Sequence, residues 1–156
     1  MTITTARPTD VNHTVTVPLP PEEAWALFTL HLRDWWPLRS HSCSGDAKAE
    51  VVFEPCCGGA VTEIAPDGQR HPWGTLTEWT PAQAFAMSWH PGQPAALATR
   101  LQVTFTAVDG GTEVRVRHGG WEARGGQSQA VRDEYARGWP LVLQAMATSA
   151  LRRSQT

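Results

Sequence analysis

From position 47 to 120 the sequence alternates apolar and polar residues with a period of two, and from about Ser128 to Arg153 the period becomes helical. That order, a run of short strands followed by one long amphipathic helix, is the strongest constraint on the fold. Turn signals divide the first stretch. "AEVVFEP" passes through Cys56-Cys57-Gly58-Gly59 into "AVTEIA", and Pro66-Asp67-Gly68 leads to "HPWGTLTEW". Thr80-Pro81 precedes "AFAMSWH", and Asp109-Gly110-Gly111 joins "TRLQVTFTAV" to "TEVRVRH" as a hairpin. With "NHTVTVPL" near the start, this predicts an antiparallel sheet of about six or seven strands.

Two helices are predicted. Pro20 and Pro21 followed by Glu22 and Glu23 favour a helix start, where a missing N–H costs nothing and acids face the positive end of the dipole. Trp25, Phe28, Leu32 and Trp35 or Trp36 recur at three- and four-residue spacing, so this helix is expected to run until Pro37. In the second, Val131, Tyr135, Trp139, Val142 with Leu143, Met146 and Ala150 share a stripe, with Ser128 as the expected cap. About 25 residues would span ~38 Å. Pro140 removes a hydrogen bond inside it, so a kink is expected beside Gly138-Trp139.

A chain of 156 residues suits one domain over 1–156, with a core from about 11 to 151 and loose ends at 1–10 and 152–156. A net charge of −2 argues against nucleic acid and anionic membranes as partners. The N-terminus lacks a signal-peptide core, so a soluble, cytoplasmic protein is expected. A low net charge leaves a homodimer open.

Several stretches carry a family likeness: "PEEAWALFT" with "WWP", "FEPCCGGAVTE" with "DG", "WGTLTEWTP" with "SWHP", "GGTEVRVRHGGW" and "YARGWPLVL". Through them the chain resembles the SRPBCC superfamily of START and Bet v 1-like proteins. Within it, it is similar to the C-terminal domain of the activator of heat-shock protein 90 ATPase. Cys56-Cys57 before Gly58-Gly59, and Pro140 after Trp139, depart from the pattern. The resemblance implies an α+β helix-grip fold, a curved antiparallel sheet around a long C-terminal helix. It also implies a cavity between the two that different members use for different small molecules.

Eight tryptophans among 156 residues fit such a cavity, since indole combines a large apolar surface with one N–H, but they could equally fill a core. Strand and helix phase nominate Phe28, Trp36, Trp89, Val116, His118, Trp121, Tyr135, Trp139 and Leu143 as the lining, with His118 and the Trp89 N–H as polar handles. The expected function is binding of a small hydrophobic molecule. One alternative is a polyketide cyclase or dehydratase-like enzyme, in which His118 and a strand acid among Glu54, Glu63 and Glu78 move protons. The other is a chaperone-associated interaction module, which would need an exposed apolar patch. "GGWEARGG" is read as a flexible gate at the cavity mouth. Cys56-Cys57, with Cys43 and His41 or His71, could bind a thiophilic ion, but adjacent cysteines lack the usual ligand spacing. No metal or other cofactor is expected.

Overall fold

The computed structural model describes residues 8–155. Strand β1 (Val11–Val17) and helix α1 (Pro21–Thr29) precede the strands β2 (Glu50–Phe53), β3 (Ala60–Ile64), β4 (Arg70–Thr80), β5 (Ala84–Trp89), β6 (Thr99–Val108) and β7 (Gly111–Gly119). Helix α2 (Ser128–Ser154) ends the chain. The strands form one antiparallel sheet in the order β1-β7-β6-β5-β4-β3-β2. Apart from β1, which pairs with β7 from Val11 opposite His118 to Val17 opposite Thr112, every strand neighbours its successor in sequence. The curled sheet wraps α2, and this is the helix-grip α+β fold. Among the described residues no helix is long and apolar enough to cross a membrane.

Strand β4 shapes the concave face. Its register shifts where Val61 and Thr62 of β3 meet Gly74 and Pro72, and again between Leu76 and Glu78 opposite β5. Each shift reverses the parity of the strand. Trp73 and Leu76 are therefore both fully buried, and Trp79 packs against the same core. Glycine is required at the first shift, because a Cβ on Gly74 would lie 1.7 Å from the carbonyl oxygen of Ser88.

Helix α1 is shorter than its periodicity suggests. It stops at Thr29, whose hydroxyl donates to the carbonyl of Trp25 at 2.8 Å, and a 3-10 turn follows at Leu32–Asp34. The physical reason is the adjacent pair Trp35-Trp36. Neighbours on an α-helix point about 100° apart, so one continuous helix would bury only one indole. The break buries both, and their N–H groups reach the carbonyls of Leu27 at 2.9 Å and His41 at 2.7 Å.

Helix α2 buries Val131, Trp139, Val142, Leu143, Met146 and Ala150 of the expected stripe, leaves Tyr135 half-buried, and runs through Pro140 as one helix. Ser128 is its first residue rather than its cap, and Gln127 before it makes no capping bond. The ends are also better tied than expected. The Thr9 carbonyl accepts from Trp121 Nε1 and Arg132 Nε, Asp10 pairs with Arg117, and α2 continues to Ser154. The remaining expected loose residues, 1–7 and 156, lie outside the described ones.

Candidate ligand-binding site

One end of the grip leaves a cleft of ≈430 Å³ between α2, the loop after Trp36 and the turn after β5. Its apolar wall is four indoles, Trp36, Trp73, Trp89 and Trp139. Ring centroids are 5.3 Å apart for Trp36 and Trp73 and for Trp73 and Trp89. They are 5.8 Å apart for Trp36 and Trp139 and for Trp89 and Trp139. Tilted and edge-on contacts at this range are favourable for aromatic rings, so the four indoles brace one another. The rim is polar, with Ser40, His41, Gln93, Arg124 and Glu134.

Glu63 explains how the loop keeps its shape. It is fully buried on β3, and its carboxylate accepts from the backbone N–H of Cys43 at 2.8 Å and of Ser44 at 2.9 Å, and from Trp73 Nε1 at 3.0 Å. Burial pushes its pKa up, but the hydrogen bonds from Ser44, Cys43 and Trp73 outweigh that and hold the carboxyl below its ordinary value. The charged form is the structural one. Cys43 lines the cleft above it; burial, and next the Glu63 charge, raise the pKa of its thiol. This sulfur is a weak nucleophile.

Of the residues nominated from sequence, Trp36, Trp89, Tyr135 and Trp139 line the cleft. Phe28, Val116, Trp121 and Leu143 do not. They are buried core residues, with Phe28 stacked edge-on against Trp35, Phe85 and Phe105. The "GGWEARGG" segment is not an open gate either. Trp121–Gln127 forms 3-10 turns broken by a kink at Gly125, with Trp121 buried and its ring 4.3 Å from that of His118, and of this segment only Arg124 reaches the cleft. Trp73 was missed, and Cys43 was considered only as an ion ligand, because the bulge that turns Trp73 inward and the loop that carries Cys43 leave no periodic trace.

His118 lies behind the wall, not on it. It is fully buried, with Trp139 Nε1 donating to Nδ1 at 3.0 Å and Nε2 2.7 Å from Thr99 Oγ1. An indole nitrogen only donates, so Nδ1 must be the acceptor and the neutral ring carries its proton on Nε2. Thr99 Oγ1 accepts that proton and passes its own to the Trp89 carbonyl at 3.2 Å. Burial lowers the His118 pKa to about 3. Both nitrogens are committed, and no glutamate meets the ring. Glu54 is exposed and accepts from the Ala60 N–H, while Glu78 faces Gln102. The expected acid/base pair is therefore not assembled. The Trp89 N–H is not a free handle, since it donates to the Tyr135 hydroxyl at 3.0 Å.

The cysteines are unpaired, with Cys56 and Cys57 exposed. Among the described residues no cluster of three or more His, Cys, Asp or Glu side chains could hold a metal ion. A second hollow, ≈540 Å³, lies on the outer face of the sheet beside the Asp10–Arg117 ion pair and has no aromatic wall.

Residues 18–150 match the sequence pattern of the family described as Activator of Hsp90 ATPase homolog 1-like protein. The chain belongs to that family. Solved structures similar to this member of the Activator of Hsp90 ATPase homolog 1-like family include a protein from Mesorhizobium loti, 21% identical with a TM-score of 0.67 over 92% of this chain and 97% of that one. The Aha1 dimer from Colwellia psychrerythraea is 15% identical, TM-score 0.63, over 91% and 96%. Txn09, an anthrahydroquino-γ-pyrone synthase solved as a complex, is 29% identical, TM-score 0.57, over 80% and 85%. No curated protein matches the sequence.

Proposed function

We propose that this protein binds a small, largely apolar and planar molecule in the cleft, against the exposed edges of Trp36 and Trp89, which Trp73 and Trp139 back from behind. The observation that carries the reading is a cluster of four indoles in mutual contact beside a cleft of ≈430 Å³, within the range of small-molecule sites, with the Tyr135 hydroxyl and the Cys43 thiol on its wall and further polar side chains around them. Flat aromatic ligands gain ring contact on such a surface, whereas flexible chains lose rotational freedom there. The test is tryptophan fluorescence titrated with polycyclic aromatics and, separately, fatty acids, using the natural chain and the Trp89→Phe and Trp139→Phe variants. Saturable quenching by the aromatics, weakened in the variants, is expected; a flat response to every probe refutes the reading.

The likeness to a γ-pyrone synthase favours a second reading, in which the same cleft carries out polyketide cyclase-like chemistry. Any catalytic group would then come from the cleft wall, because the only lone pair of His118 is held by the Trp139 N–H. Turnover of a polyketide-like aromatic that vanished on His118→Gln while binding persisted would contradict that assignment. An interaction module has less support. Among the described residues the large exposed hydrophobics Leu30, Val52, Val108, Leu141 and Leu151 are spread over the end of α1, β2, β6 and α2. A homodimer, the state of the Colwellia protein, would be tested by sedimentation across a concentration series.

A further inference from the structure

The hydrogen bonds behind the aromatic wall have only one consistent direction. Trp139 Nε1 must donate to His118 Nδ1, His118 Nε2–H to Thr99 Oγ1, and the Thr99 hydroxyl to the Trp89 carbonyl. Trp89 Nε1 in turn must donate to the Tyr135 oxygen, at 3.0 Å. The Tyr135 hydroxyl is thereby fixed as an acceptor toward the protein, and its own proton finds no acceptor among the described residues. Tyr135 lines the cleft. A hydroxyl that already accepts from the protein and stands at a cleft wall has its O–H left for whatever enters.

Building on the reading that the cleft binds a planar aromatic, we propose that Tyr135 selects ligands carrying a ring carbonyl, to which its hydroxyl donates. The aryl ketone class of chromones, flavones and anthrones fits: a flat ring system for the indole wall and one uncharged acceptor for Tyr135. The rim supports a neutral oxygen over a carboxylate. Arg124 and Glu134 both flank the cleft and act on the Tyr135 hydroxyl with opposite sign, and the buried Glu63 charge lies under the nearby loop. His118, whose ring centroid is 4.6 Å from that of Tyr135, stays neutral in its buried network. Cys43, on the cleft wall as well, is held as the thiol.

The test compares flavone with 2-phenylnaphthalene, a hydrocarbon of nearly the same outline that lacks the carbonyl. The natural chain should bind flavone about tenfold more tightly, the scale of one hydrogen bond that would otherwise go unmade. Tyr135→Phe should erase the preference by weakening flavone alone. A second readout needs no variant. Tyr135 is the chain's one tyrosine, so ¹³Cζ-tyrosine labelling gives a single resonance. It should shift clearly further on saturation with flavone than with 2-phenylnaphthalene, whose rings move it by ring current alone. If both compounds bind with equal affinity, or flavone moves the resonance no further than the hydrocarbon does while fluorescence shows it bound, the carbonyl assignment is overturned and the binding reading stands. If neither compound binds, both are overturned.

Discussion

Acidification should destabilise this protein beyond what its carboxylates account for, and His118 is the reason. The ring is fully buried and neutral, with burial lowering its pKa from 6.5 to about 3. Below pH 6.5 the unfolded chain takes up a proton at this site that the native state refuses until about pH 3. The unfolded state therefore binds more protons, and stability falls as pH drops through that window and is whole above it. At 1.36 kcal/mol per unit, the loss is about 1.4 kcal/mol at pH 5.5 and about 2.7 kcal/mol at pH 4.5. Against a typical total of 5–15 kcal/mol this is a large share. The assay is urea unfolding at pH 7.5, 5.5 and 4.5 for the natural chain and His118→Gln, whose amide can still accept from Trp139 and donate to Thr99 but does not titrate. The other histidines and the acids are common to both chains, so their contributions cancel in the difference. The natural chain should lose about 2.7 kcal/mol more than the variant between pH 7.5 and pH 4.5. Parallel pH profiles would refute the reasoning, since they would mean that His118 is as easily protonated in the fold as out of it.

Two further substitutions probe how the cleft is held. Glu63→Gln replaces a buried carboxylate that accepts from Cys43, Ser44 and Trp73 by an amide with only one acceptor oxygen. It should lower unfolding free energy by about 2 kcal/mol and weaken binding of an aromatic probe, as read by thermal unfolding and by the fluorescence titration; unchanged values for both would show that the loop is held by other contacts. Gly74→Ala should be far more harmful than Gly58→Ala. At Gly74 the new methyl would meet the Ser88 carbonyl at 1.7 Å, while at Gly58 nothing lies within 4 Å and only the positive φ of 89° is strained. Roughly 1 kcal/mol is expected at Gly58, and at Gly74 a loss of several kcal/mol or failure to accumulate folded protein. Similar midpoints in a denaturant series for the two variants would argue against the close approach of β4 and β5.

Legibility in the sequence followed locality. A sheet of about six or seven strands, their turns and the long final helix were readable because alternation, Asp-Gly turns and the α2 stripe are written within short windows. Alternation placed Leu101, Val103, Phe105, Val114, Val116 and His118 inward, as found, because β6 and β7 pair without a slip; Ala107, expected on the same face, is exposed at the strand end. Strand β4 did not yield to the same reading. Its two register shifts reverse parity, and only the approach of Ser88 to Gly74 reveals why Trp73 and Leu76 share a face. Glu63 was identified as a candidate but not as the pin of a loop twenty residues earlier, since that contact is set by tertiary packing.

By itself, then, the sequence determined the architecture and the presence of an indole-rich interior, because patterning and turn chemistry act over a few residues and one face must be buried. Tertiary structure alone decided which aromatic groups form a wall and which fill the core, for this depends on where α2 and the Trp36–Cys43 loop stand away from the sheet. It also decided the fate of every N–H behind that wall. A histidine on a valine face could have been a base. The obligate indole donor of Trp139 on α2 makes His118 a neutral member of an internal network, and that of Trp89 on β5, given to the Tyr135 oxygen, leaves the Tyr135 proton without an acceptor among the described residues.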